Sequence, residues 1–181
     1  MRLPREIVDL PESATLRRNG LDVVAARREL ARAECPDGRV TIGDAEGIDL
    51  FRPIRVRPGA YRVVVYEWQH PRRGSVNLAL LVASCDKPSG ILRPIAVEQV
   101  FAPHVEGLPV DCAALWVRVG VATLRVNSGL GDGVYPVYAR KSLASPPDLI
   151  LVDFKVWELR NYIERPGWTV DEYGLPFETR A

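Results

Sequence analysis

A chain of 181 residues is long enough for one domain with its own core, and 47% hydrophobic with 26% charged content is the composition of a folded protein rather than a disordered one. A formal net charge of +1 argues against a dedicated nucleic-acid binder, which carries a strong basic excess, so no nucleic-acid partner is expected. No run approaches the roughly 18 apolar residues that cross a membrane, so no membrane partner is expected either.

The first twenty residues carry Pro4 and Pro11 and end at Asn19-Gly20. Pro11 suits the first turn of a short helix over residues 11–18, and an irregular lead-in is the alternative. Residues 21–34 admit two readings. Val23, Ala26, Leu30 and Ala33 recur at helical spacing among good helix formers, whereas residues 30–35 alternate apolar and charged. With Pro36-Asp37-Gly38 as a turn, the favoured reading is a strand over 30–34 pairing with 39–42.

The following elements are plainer. Residues 54–57 alternate before Pro58-Gly59, and residues 61–68 form the strongest strand, rich in β-branched and aromatic side chains. A polar turn at 69–75 leads into a second strand over 76–84, its expected partner, and Pro88-Ser89-Gly90 closes that run. Residues 95–101 read as a strand, followed by a loop with Pro103, His104, Gly107 and Pro109. Residues 113–119 and 121–126 are two strands or one bent strand, with Gly120 as bulge or corner. Residues 135–139, 149–152 and 154–159 complete the strand candidates. The tail holds turn residues beside Trp168, Tyr173 and Phe177. Short strands with frequent turn signals predict an all-β fold, a sandwich or partly open barrel, with a short N-terminal helix as an option. The expected organisation is a single β-rich domain over 1–160 and an extended arm over 161–181 packed on it.

The least generic text is Asn127-Ser128-Gly129-Leu130-Gly131-Asp132-Gly133-Val134-Tyr135-Pro136-Val137-Tyr138. Three glycines could converge backbone amides on an anion, but phosphate loops open a helix, and Tyr-Pro-Val-Tyr reads as an edge strand instead. Asn127, Ser128, Asp132 and Asp153 offer oxygens to calcium, yet one carboxylate inside the loop is thin for an ion that takes six to eight ligands. No metal or cofactor is therefore expected. The glycines are read as supplying positive φ in a tight connection, with Asp132 accepting backbone hydrogen bonds inside it and Tyr135 and Tyr138 packing on the sheet. Asp153, between Val152 and Phe154, needs partners if buried and is read as a structural lock. Ser128, Asp132, Tyr135, Tyr138 and Asp153 form the candidate site; Trp168, Tyr173 and Phe177 form a candidate partner-binding face.

Three dispersed cysteines, Cys35, Cys85 and Cys112, make no Cys-x-x-Cys pair, which leaves reduced thiols in a cytoplasmic protein as the simplest account. A thiol hydrolase would need Cys85 with His104 or His70, and nothing in the spacing selects that pairing.

The segment Ser128 to Tyr138, with Val152-Asp153-Phe154 after it, resembles the C-terminal motif of uncharacterised bacterial families in which Gly-Asp-Gly-x-Tyr-Pro-Val-Tyr precedes a strand ending in Asp-Phe. Pro58-Gly-Ala-Tyr-Arg-Val63 is similar to an element before their central strand. The resemblance spans about residues 40–158. It implies a compact bacterial β domain, and some members of such families are suspected neighbours of toxins. The expected function is a non-enzymatic protein-interaction domain, an immunity-type inhibitor whose partner is a toxin. The alternatives are a hydrolase or ligand-binding enzyme using Asp132 and Asp153, and a structural subunit that associates with copies of itself.

Overall fold

Val63, Val64, Val65 and Tyr66 are all buried, and so are Leu78 to Ser84 on the strand beside them. A strand that alternates in and out would expose every second residue, so the sheet they occupy is covered on both faces at its centre. The computed structural model describes residues 13–18, 21–70, 74–86, 91–100, 107–129, 131–141, 145–154, 168–170 and 176–178.

The large sheet has seven antiparallel strands. In chain order these are β1 (Ser13–Arg18), β2 (Leu21–Cys35), β5 (Gly59–His70), β6 (Gly74–Ser84), β7 (Ile91–Ile95), β12 (Val137–Lys141) and β13 (Leu149–Asp153). Their spatial order is β1-β2-β5-β6-β13-β12-β7. The smaller sheet takes β3 (Arg39–Asp44), β4 (Ile54–Arg55), β9 (Ala114–Val119) and β10 (Ala122–Asn127), in the order β10-β9-β3-β4. Two short pairs complete the described strands: β8 (Leu108–Val110) with β11 (Gly133–Tyr135), and β14 (Trp168–Val170) with β15 (Pro176–Glu178). One buried cluster takes side chains from both main sheets, among them Ile42, Leu115 and Val117 from the smaller and Tyr61, Leu80 and Leu151 from the larger. The large sheet keeps two edges, so the all-β fold is a sandwich and not a closed barrel.

Several sequence expectations are corrected here. Residues 13–18 are strand β1, not helix, and the helical structure among the described residues is one 3-10 turn at Ile48–Leu50. Strand β2 does not pair with 39–42. It pairs with β1 and, through residues 25–35, with β5. The Pro36-Asp37-Gly38 turn carries the chain from the large sheet into the small one, where β3 pairs with β9 and β4. The strand expected at 95–101 instead runs Ile91–Ile95, leaving Gln99 in a lone bridge to Phe51. The strand expected over 135–139 divides at Pro136, which has no N–H to continue a ladder, so β11 and β12 enter different sheets. Gly120 is neither bulge nor corner. It opens the two-residue turn of the β9–β10 hairpin, in which Val119 pairs with Ala122. The expected β5–β6 hairpin is present, with a bulge where Tyr66 faces Ala79 but Glu67 faces Asn77. Phe154 lies just beyond β13, and the strand expected to continue through 159 lies outside the described residues.

Candidate functional site

Strand β10 ends at Asn127, and the chain must then turn back to enter β11 against β8. Gly129, Gly131 and Gly133 all have positive φ, at 72°, 127° and 159°. The connection therefore uses backbone that L-residues rarely adopt, as the glycine spacing suggested. The carbonyl of Gly131 accepts two hydroxyl hydrogen bonds, from Ser128 Oγ and Tyr135 Oη, both at 2.5 Å. Ser128 is fully buried and Tyr135 nearly so, with its ring edge-on to Phe154 at 5.2 Å between centroids. Burial pushes the Tyr135 hydroxyl pKa up, against a smaller lowering effect from Ser128. The phenol therefore stays protonated and donating.

Among the described residues, the amide that Asp132 accepts from lies outside its own turn. Asp132 Oδ1 accepts from the Ala113 N–H at 2.7 Å, across the turn that joins β8 to β9. Ala113 has φ +53°, the left-handed region that a Cβ disfavours by about 1–2 kcal/mol. The Ala113 carbonyl accepts from the Ser128 N–H at 3.0 Å. The glycine-rich connection thus clamps a strained alanine on both its donor and its acceptor. Asp153 ends β13 opposite Ala79, 4% exposed, with its own N–H donated to the Pro136 carbonyl. Tyr138 is buried in β12 opposite Leu151. The candidate residues are thus distributed: Ser128, Asp132 and Tyr135 serve one turn, while Tyr138 and Asp153 lie in the large sheet. Trp168 and Phe177 fall on the paired strands β14 and β15, and Tyr173 lies outside the described residues.

Beside the connection, a polar cleft of about 290 Å³ opens between β2, β5, β6 and the end of β10. Its lining includes Arg28, Glu67, Asn77, Arg125, Asn127 and Gly129. Arg28 Nε donates to Glu67 Oε1 at 2.8 Å, and Nη2 donates to the same oxygen. That hydrogen bond raises the pKa of Arg28. Asn77 Nδ2 donates to the Asn127 carbonyl at 2.8 Å, linking the large sheet to the small one. Arg28 and Asn77 are thus engaged by the protein itself, and their bonds fasten the sandwich at the glycine-rich end. Sequence reasoning missed this set. The signal was Glu67, a charge inside the apolar run of β5, to which the argument made for Asp153 applies equally.

A second concavity, of about 440 Å³, is lined by Arg39, Arg52, Pro53, Arg55, Glu98 and Val100. It lies at the β4 edge of the smaller sheet, where the Arg52 N–H donates to the Glu98 carbonyl at 2.8 Å and the Val100 N–H to the Leu50 carbonyl at 2.7 Å. Leu50 and Val100 are 48% and 43% exposed and adjacent. At the far end of the large sheet, Asp148 is buried with Arg57 Nη2 at 4.0 Å and Arg140 Nε at 3.9 Å. Burial there also lifts the Tyr61 hydroxyl to about 12, while it donates to the Arg57 carbonyl at 2.6 Å. Cys85 is exposed just past β6, and His104 lies outside the described residues. Among the described residues no three His, Cys, Asp or Glu side chains converge as a metal site.

Fold and site define a class: an antiparallel two-sheet β protein, fastened at its glycine-rich connection, with an arginine-rimmed groove on the smaller sheet. Comparison with protein-family models, with curated proteins and with solved structures finds no match to this chain. Among the described residues no helix is long and apolar enough to cross a membrane.

Proposed function

We propose that this chain is a cytoplasmic bacterial protein-interaction domain of the immunity type, one that binds a toxin and blocks it. The observation that carries the reading is the exposed Leu50–Val100 pair beside a groove rimmed by three arginines. Adjacent exposed aliphatics with arginine around them form the kind of surface that supplies binding energy between proteins. The resemblance carried by Ser128 to Tyr138 and by Val152-Asp153-Phe154 points the same way. Asp132, the carboxylate a hydrolytic reading would use, is engaged with the Ala113 amide. A self-associating subunit is the second reading, favoured by β10, whose outer edge has no strand neighbour among the described residues.

The test uses the full chain, tagged, to capture proteins from a bacterium that carries it. The captured protein is expected to arrest growth when expressed alone and to be harmless when this chain is co-expressed. Recovery of the chain by itself would favour the self-associating subunit and end the inhibitor reading. Asp132→Ala is expected to lower stability by about 1 kcal/mol, the cost of one backbone hydrogen bond to a charged acceptor, and to leave the affinity of the folded fraction unchanged.

A further inference from the structure

Arg39 and Arg55 are directly opposite one another in the β3–β4 pair. Directly opposed residues of an antiparallel pair project from the same face, and like charges in that position repel. Val40, the next residue, is fully buried, so Arg39 and Arg55 stand on the outer face, and both are exposed. Arg52 joins them along the groove, and the acidic residue of the lining, Glu98, lies 4.0 Å from Arg52. Nearby Asp49 is occupied by Arg118 at 3.1 Å. Among the described residues, neither Arg39 nor Arg55 has a carboxylate within ion-pair distance. The carboxylate nearest Arg39 is that of Asp37, which accepts from the Arg39 backbone N–H at 3.2 Å and makes no ion pair with its guanidinium. Two opposed guanidinium groups with no ion-pair partner among the described residues repel, and the arrangement becomes favourable when an anion sits across them.

Resting on the reading of the chain as an interaction domain, we infer that this groove binds an acidic protein segment. A carboxylate of the segment bridges Arg39 and Arg55, and an aliphatic side chain next to it covers Val100 and Leu50. The apolar half decides the class of occupant. Inorganic phosphate would gain nothing from two exposed aliphatics, and a nucleic-acid strand needs a track of cations on a chain whose net charge here is only +1. An acidic segment uses both halves, with planar guanidinium groups suited to carboxylate oxygens. It also fits a partner of opposite charge, whose approach the arginines would steer.

The probe is a fluorescein-labelled peptide of alternating Glu, Asp and Leu, read by fluorescence anisotropy against its Gln/Asn counterpart on the full chain. The acidic peptide is expected to bind about tenfold or more tightly than the neutral one, and Arg39→Gln with Arg55→Gln should erase the difference. Leu50→Ser with Val100→Ser should weaken the acidic peptide by about tenfold, whereas Thr123→Ala should leave it unchanged. All these side chains are at least partly solvent-exposed, and Arg39→Gln alone should raise the urea midpoint of the free protein by relieving the opposed charges. Equal binding of the two peptides, wild-type binding by the double arginine variant, or displacement of the peptide by equimolar inorganic phosphate or an oligonucleotide would each overturn the inference. The two levels separate cleanly. If Arg39→Glu with Arg55→Glu neutralises the captured toxin as well as wild type does, the groove is wrong and the inhibitor reading stands. If wild type neutralises nothing, the inhibitor reading fails, and the peptide titration still decides the groove.

Discussion

Asp44 ends β3 at a point where three segments meet. Its Oδ2 accepts from the Asp111 N–H and its Oδ1 from the Glu46 N–H, each at 2.8 Å, and the Cys112 thiol approaches both oxygens at 3.6 and 3.5 Å. Burial acts to raise this carboxyl pKa, but the two amides and the thiol outweigh it, and the net shift is below the ordinary 3.8. A carboxyl depressed on folding stabilises the protein fully above its unfolded value, and that contribution is lost as the pH falls through the folded one. In wild type the urea midpoint should therefore fall more steeply over the acid interval below about pH 4 than in Asp44→Asn, which keeps an acceptor but cannot titrate. The two curves should approach one another at the acid end. Parallel curves across that interval would show that Asp44 contributes nothing pH-dependent.

The β9–β10 hairpin is built around one glycine. At φ +54° Gly120 occupies the left-handed region, and a Cβ placed on it would lie 1.9 Å from the carbonyl oxygen of Glu34, at the end of β2. Conformation and contact both forbid a side chain, because the hairpin tip is seated on the large sheet. Gly120→Ala should destabilise by about 3 kcal/mol, while Val121→Thr, altering a fully exposed neighbour, should stay within about 0.5 kcal/mol. Urea denaturation of the two variants checks this, and a Gly120→Ala midpoint equal to wild type would show that the tip does not rest on β2. Such a glycine is visible in sequence as special, but the contact that makes it so is not. The same holds more widely. The β5–β6 hairpin was legible because its β-branched runs are adjacent in the chain. Strand β2 was obscured in part by its own bulge: the register slips between Glu29 and Ala31, so Leu30 and Ala33, three residues apart, both pack against the core, a step that a regular strand does not give and a helix does. Pro36-Asp37-Gly38 announced a reversal, but a turn does not say which sheet receives the chain. The glycine-rich connection stood out by composition, whereas Arg28 with Glu67, or Arg39 with Arg55, meet only through strand pairings that no local spacing encodes.

Both main sheets contribute to one buried cluster, and that determines how the whole molecule should open. Strands β5, β6 and β13 are buried on both faces at the middle of seven strands, so none can leave without exposing the core. The smaller sheet is tied to them by shared apolar burial, by Asn77 on the Asn127 carbonyl, and by the seat of Gly120 on Glu34. A pair of sheets so joined should behave as one cooperative unit, with a stability of about 5–15 kcal/mol. Amide exchange should therefore give Val64, Leu81 and Leu151 of the large sheet, and Ile42 and Val117 of the small one, a common opening free energy. That free energy should fall with urea at the slope of global unfolding. Amides on the outward side of edge strand β10 should exchange sooner, through openings that urea barely affects, because that side has no strand beside it among the described residues. If instead the two sheets showed separate free energies with different urea slopes, they would be distinct folding units. The groove on the smaller sheet could then reshape on binding without disturbing the large one. A single slope means that the arginine groove is presented on a rigid support, and that an acidic partner meets Arg39 and Arg55 already in place.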